Sequence, residues 1–438
     1  MKGWDAARVA AAAGASLVRG ADGGPSRVVI HSRAVGSGDL FVGLTGENVD
    51  GGRFAAGAVE AGAWGVLVGP AWRDVDGGAV LVADEPLRAM GALAREWRRA
   101  LGAAVIAVTG SVGKTSTKDL ITALLAPTRR VVASRANFNT DIGMPPEILA
   151  ADPGTEVLVL EAAMRGFGEI ATLAAICEPD VGVITNIAPV HLEQVGSLEG
   201  VARAKAELLE GMRDGGTAVV PAGEPLLERY LRPGLEVVRF GEGGDVRLDG
   251  DTVVAHGEEL DLELPFRARH QRINALAAVA AALAVGVRPS GRVEVPAGHL
   301  RGERVELALG ATIVNDCYNA SPLSVRAALD ELAAEMPAGR RIAVLGDMLE
   351  LGAQEAELHR ELGAVAQGAG VDVLVTVGPR AAAMLDTFDG ESYAVADAGE
   401  AASLAGEIIG PGDVMLVKGS RGVGLEVVAE ALQAVPHG

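Results

Sequence analysis

The stretch from Ala104 to Leu125, "AVIAVTGSVGKTSTKDLITALL", constrains the fold more than any other part of the chain. An apolar run at Val105–Val108 predicts a buried strand. Gly110-Ser111-Val112-Gly113 predicts a tight turn, and Lys114–Leu125 predicts a helix. In a strand–turn–helix of this kind the turn amides and the helix N-terminus point at the same place, which suits a phosphate chain. Lys114 adds a point charge there, the Thr115 hydroxyl suits Mg²⁺, and Ser116 follows in the first turn. The common pattern G-x-x-x-x-G-K-[ST] wants glycine five places before Gly113, where this chain has Val108. Val108 finishes the strand, and the loop is a shorter one.

The same rhythm recurs along the chain. Near-continuous apolar runs "EVLVLE" (156–161), "VGVITN" (181–186) and "TAVVPAG" (217–223) alternate with helical stretches. This predicts a parallel sheet covered on both faces. The alternating "DVRLDGDTVVAHGEELDLELP" predicts a small antiparallel addition turning at Asp249-Gly250-Asp251. Before this region, short strands and glycine-rich turns end in "LRAMGALAREWRRALG", a helix stopped by Gly102. After it, "VRPSGRVEVPAG" reads as a linker, and "ATIVND", "RRIAVLGD", "VDVLVTVG" and "DVMLVKGS" read as strands of a second doubly wound unit. That unit lacks G-x-G-x-x-G, so no dinucleotide is implied. The expectation is an α/β protein of three domains: a smaller α/β domain over 1–100, a central parallel-sheet phosphate-loop domain over 101–292, and a Rossmann-like domain over 293–438.

Composition narrows the function. A net charge of −20 with 3% aromatic residues disfavours a nucleic-acid groove. No apolar run has membrane-spanning length, and the N-terminal residues lack a signal peptide's apolar core, so a soluble, cytoplasmic protein is expected. Cys177 and Cys317 cannot build a disulfide framework. Glu161 leaves an apolar strand beside the phosphate loop, where a carboxylate packs poorly but holds magnesium well. Taken alone, His191 reads as an ordinary surface or hydrogen-bonded histidine and Lys205 as a solvated helix lysine.

An ordered set of motifs changes those readings. "GSVGKTS", "ANFNTDIGMP", "LEAAMRGFGEI", "PDVGVITNIAPVHLEQVGSLEGVARAKAEL", "HQRINALAA", "VNDCYNASPLSVRAAL", "IAVLGDMLELG" and "LVKGSRG" occur in sequence. Together they resemble the Mur ligase family across essentially the whole chain, and the short loop is that family's form. The resemblance implies ATP and two Mg²⁺ ions, with phosphate contacts from Gly110, Ser111, Gly113, Lys114, Thr115 and Ser116. It implies metal ligation by Thr115, Glu161, His191 and Lys205. Lys205 matches a lysine carried by some members as a carbamate, which is anionic where an ammonium could not ligate a cation. Asn274 matches a position near the adenine ring, and Arg304 and Asp316 match positions reaching the nucleotide's phosphate and ribose. Position 271 is Gln where many relatives have Asn, and no nucleotide contact is assigned to it.

The substrates implied are UDP-N-acetylmuramoyl-tripeptide and D-alanyl-D-alanine, joined through an acyl phosphate. "YNASP", Tyr318 to Pro322, sides with the dipeptide-adding branch of the family. Ser32 and Arg33 match the UDP-sugar site, although position 31 is His where the family has Asp. Asn137, Asn319, Lys418 and Arg421 fall on the substrate side. The third domain is expected to close over the site and shield the acyl phosphate from water. Two alternatives stand beside this. One is a sibling or folylpolyglutamate-type ligase, which "YNASP" and the first domain disfavour. The other is a regulatory nucleotide switch, which would carry a guanine-reading N-K-x-D string; none occurs here.

Overall fold

The computed structural model describes residues 1, 3–46, 48–135, 138–266, 268–294 and 302–434. They form three α/β domains, each built on its own sheet. The chain groups into two compact units. One contains 1–186, 202–264 and 273–293, and the other contains 187–201, 265–272 and 294–438.

In the first unit, a five-stranded sheet runs in the order Ser16–Arg19, Ala79–Val82, Gly65–Val68, Leu40–Val42, Val28–Val29. Its first pair is antiparallel and the rest are parallel. The helix Pro86–Leu101 follows and ends at Gly102, whose φ of 64° is the left-handed cap that glycine adopts without penalty. This helix ties the first sheet's domain to the second. Trp97 stacks edge-on with Trp4 at 5.2 Å and donates from Nε1 to the Ala151 carbonyl at 3.0 Å. Arg98 is buried and donates to the carbonyls of Cys177 (3.0 Å) and Glu178 (2.8 Å) and to Asp180 (2.9 Å).

The central sheet has nine strands. At its middle lies Ala104–Thr109, between Val157–Glu161 and Val181–Ile184, parallel to both. Val105, Ile106, Ala107 and Val108 are wholly buried, as a strand covered on both faces requires. Val131–Ala133 closes one edge, and Thr217–Pro221 and Glu236–Phe240 extend the other. The alternating segment forms the antiparallel strands Val246–Asp249, Thr252–Ala255 and Glu258–Glu259, which lengthen this sheet.

The sheet of the second unit runs Glu303–Glu306, Thr312–Asn315, Val414–Lys418, Arg341–Gly346, Val373–Val377, Glu391–Val395. Its first pair is antiparallel and the others parallel. Alternate residues feed two cores. Ile342, Val344, Val373 and Val375 pack into one, while Ala343, Leu345 and Leu374 pack into the other. Truncating one such leucine to alanine costs about 2–5 kcal/mol. Two edge strands, Glu303–Glu306 and Glu391–Val395, escape a reading based on apolar runs because half or more of their residues face solvent. Part of the linker read at 287–298 lies outside the described residues.

Candidate active site

The phosphate loop leaves the C-terminal end of strand Ala104–Thr109 and enters the helix Lys114–Leu125, whose bounds are those expected. Open sheets of this kind take ligands at that end of the strands. Two of its glycines are obligatory. Gly110 has φ 147°, and a Cβ there would lie 1.9 Å from Thr185 Oγ1. Gly113 has φ 83°, and a Cβ there would lie 2.5 Å from Asn274 Oδ1. The turn is pinned from strand Val181–Ile184. Thr185 Oγ1 donates to the Val112 carbonyl at 2.6 Å, and Asn186 Nδ2 donates to it at 2.8 Å. Asn186 Oδ1 accepts from Val112 N–H at 2.9 Å. Lys114 Nζ folds back over the turn and donates to the Gly110 carbonyl at 2.9 Å. Asn186 thus holds the turn through the Ser111 and Val112 N–H groups, with the Lys114 ammonium folded over it.

Next to the loop, Thr115 Oγ1 donates to the Glu161 carboxylate at 2.7 Å. Glu161 is 2% exposed, and its other oxygen accepts from Asn139 Nδ2 at 2.9 Å. Its backbone N–H donates to Ser134 Oγ at 2.9 Å. Behind that, the buried Lys118 donates to the Ser134 carbonyl at 2.7 Å. Neighbouring ligand oxygens on an octahedral magnesium lie about 3 Å apart, so the Thr115–Glu161 oxygen pair fits that ion. Among the described residues no three His, Cys, Asp or Glu side chains form a metal cluster. A cation here would take the Thr115 hydroxyl and the Glu161 carboxylate oxygens.

Lys205 lies on the helix Leu198–Glu210 and is 2% exposed. Among the described residues no carboxylate pairs with it. Burial first, and the charge of Lys114 second, hold its amine well below the ordinary lysine pKa. It is no solvated surface lysine.

Other anticipated residues take more specific places. Asn274 sits against Gly113, beside the phosphate loop. His191 belongs to the second unit, where its Nδ1 bonds Glu350. Asp316 ends strand Thr312–Asn315 and pairs with Lys418 at 2.5 Å. Lys418 is buried and also donates to the Asn319 carbonyl at 3.1 Å, so it anchors the "YNASP" turn. Asn319 Oδ1 accepts from Ala320 N–H at 2.9 Å. Arg304 pairs with Glu335 at 2.6 Å and Arg421 with Glu426 at 3.2 Å. Gln271 and His270 both meet Glu331, at 3.1 and 3.2 Å. In the first domain, Ser32 and Arg33 line a cavity of 540 Å³ with Ile30, His31, Phe41 and Phe54. Asn137 lies outside the described residues.

Sequence reasoning missed the supporting residues Thr185, Asn186, Ser134 and Asn139. The strand-end "TN" of "VGVITN" was a usable signal, because polar groups at that end of a central strand face the loop of the adjacent one.

Comparison with known proteins places this geometry. Three family profiles match in order: Mur ligase family, catalytic domain, over 26–98; Mur ligase middle domain over 108–282; and Mur ligase, glutamate ligase domain, over 300–421. The UDP-N-acetylmuramoyl-tripeptide–D-alanyl-D-alanine ligase of Bacillus subtilis (strain 168) is 35% identical, across 96% of this chain and 98% of that protein. The Escherichia coli (strain K12) ligase of the same name is 35% identical across 95% of each. Among solved structures, a crystal structure of MurF from Acinetobacter baumannii superposes with a TM-score of 0.88 at 29% identity, covering 99% of both chains. MurF ligase from Thermotoga maritima in complex with ADP gives 0.81 at 29% identity, covering 93% of this chain and 97% of that one.

Proposed function

This chain belongs to the Mur ligase family, and from that premise we propose that it joins D-alanyl-D-alanine to UDP-N-acetylmuramoyl-tripeptide at the expense of ATP, in peptidoglycan precursor synthesis. One observation carries the reading: 35% identity runs over 96% of the chain to a ligase of that activity. The phosphate loop and its hydrogen-bonded Thr115–Glu161 pair support it.

A carboxylate is a poor electrophile at neutral pH, so it must first be activated. In the proposed reaction the tripeptide carboxylate attacks the terminal phosphoryl group of ATP. The bond to ADP breaks, and an acyl phosphate forms. The dipeptide amine, as free base, then attacks the acyl carbon; phosphate leaves and the amine loses a proton. The helix N-terminus at Lys114 and the Lys114 ammonium would stabilise charge on the phosphoryl oxygens, on a turn that Asn186 fixes before substrate arrives. Thr115 and Glu161 would hold magnesium, and a metal-ligand role is proposed for His191 on its motif alone. When bound, the ion neutralises phosphate charge and polarises the phosphoryl group. Asn139 and Ser134 orient Glu161 for that task.

Lys205 is proposed to act as a carbamate. The free-base amine is the form that adds CO₂, giving a carbamate and releasing a proton, and burial shifts Lys205 toward that form. The product is an anion in a place where Lys114 supplies the compensating charge. Carbon-13 bicarbonate should give a carbamate signal that Lys205→Ala abolishes. Full activity of that variant, unaltered by added short carboxylates, would remove the role.

We assign 1–100 to the UDP substrate, 101–292 to ATP and 293–438 to the acceptor. Support on the substrate side is best at Ser32 and Arg33, which face an open cavity. For Asn319, Lys418 and Arg421 a substrate role has to coexist with the local bonds they already make. Among the described residues no helix is long and apolar enough to cross a membrane, and we place the reaction in the cytoplasm. The mechanism has a direct test. Oxygen-18 in the tripeptide's terminal carboxylate should appear in the released phosphate. Unlabelled phosphate accompanied by amide product would exclude the acyl phosphate.

A further inference from the structure

Two of the four non-glycine residues with positive φ among the described residues face each other. His191 has φ 53° and Glu350 has φ 62°. The Glu350 carboxylate is hydrogen-bonded to His191 Nδ1. A glutamate rarely adopts this conformation, which glycine takes without penalty.

The turn holding Glu350 is built from several directions. Met348 N–H donates to His359 Nε2 at 3.0 Å, and Leu349 N–H donates to Ser420 Oγ at 3.0 Å. Ser420 N–H in turn donates to the Asp347 carbonyl at 3.1 Å. His359 is fully buried, with its Nδ1 directed at the Glu355 carbonyl at 2.7 Å. That arrangement needs a neutral ring with the proton on Nδ1, and burial favours the neutral form. His191 is fixed as well, since its carbonyl accepts from Gln194 and Val195 at the start of a short helix.

We infer that Glu350 is a positioning residue that holds His191 as a metal ligand, by accepting its Nδ1–H and so fixing the tautomer and ring orientation. With the proton on Nδ1, Nε2 carries the lone pair through which an imidazole binds a cation. The left-handed backbone at 350 is what turns this carboxylate onto the ring. The inference rests on the proposed reading of His191 as a ligand.

The test uses the full chain with ADP, titrated with Mn²⁺ and followed by loss of the free-ion paramagnetic resonance signal. Four variants are compared: Glu350→Gln, Glu350→Gly, His191→Ala, and Glu350→Gly combined with His191→Ala. Glycine suits φ 62°, so Glu350→Gly should melt no lower than the parent while removing the carboxylate. Both Glu350 variants should weaken Mn²⁺ binding by about 10- to 100-fold. His191→Ala should weaken it at least as much, and the combined variant no further. In turnover, the Mg²⁺ requirement should rise in Glu350→Gln while kcat at saturating Mg²⁺ stays near the parent's. If His191→Ala loses Mn²⁺ affinity and both Glu350 variants retain it, the positioning role is overturned and the ligand stands. If His191→Ala itself binds Mn²⁺ normally, the ligand reading falls and this inference with it.

Discussion

Replacing Gly110 with alanine probes whether the phosphate loop is a preformed cradle. The added Cβ would arrive 1.9 Å from Thr185 Oγ1 and 3.0 Å from that residue's Cβ and N, at a backbone φ of 147°. The conformation alone costs about 1–3 kcal/mol for a residue with a side chain. Thr185 must also move, which breaks its 2.6 Å hydrogen bond to the Val112 carbonyl and adds about 1 kcal/mol. The total is about 3 kcal/mol. If the loop yields while the domain stays folded, that cost appears as roughly 100-fold weaker ADP binding. Isothermal titration of Mg·ADP measures it. Thr185→Ala alone should lose about 1 kcal/mol. Combined with Gly110→Ala it removes the worst contact but leaves the backbone strain, so the double variant should bind better than the sum of the singles. Parental affinity in Gly110→Ala, or strict additivity in the pair, would refute the cradle.

Other expectations follow from buried charge. The folded chain holds Lys205 below its ordinary pKa, so the unfolded chain binds more protons and stability rises with pH until the free lysine titrates. Lys205→Met should therefore raise the melting temperature at pH 7 in CO₂-free buffer, by less as the pH becomes alkaline, while turnover collapses. Burial, then Asp316, push the Glu331 carboxyl from 4.5 up to about 7. Here the folded chain binds more protons, so stability falls as pH rises through that window. Glu331→Gln should gain about 1–2 kcal/mol at pH 8, allowing for solvent screening, and nothing below pH 4.5; melting at both pH values checks it. Arg98→Met takes a donor from the Cys177 and Glu178 carbonyls and from Asp180, which keeps Arg213 and the Val105 N–H, and should cost about 2–3 kcal/mol in denaturant unfolding.

The parts of the fold legible in sequence were those written in local order. Continuous apolar runs gave the central strands, and the Gly110–Lys114 segment gave both the turn and the first residue of the helix. What was not legible depends on distance along the chain. Thr185 holds Val112 from 73 residues away, and Glu350 meets His191 from 159 away. Chain continuity would also leave 187–201 with the central domain, yet it clusters with the other unit. Lys418 reads as a strand-end cation free for substrate, and only packing reveals that it is buried against Asp316 and Asn319.

The central claim is that ATP is spent on one particular amide bond. The purified chain with ATP and Mg²⁺ should release phosphate only when UDP-N-acetylmuramoyl-tripeptide and D-alanyl-D-alanine are both present. One phosphate should accompany each product molecule, whose mass equals the two substrates less water. Phosphate release with glutamate and a folate instead, or GTP-selective binding without any amide product, would contradict the account.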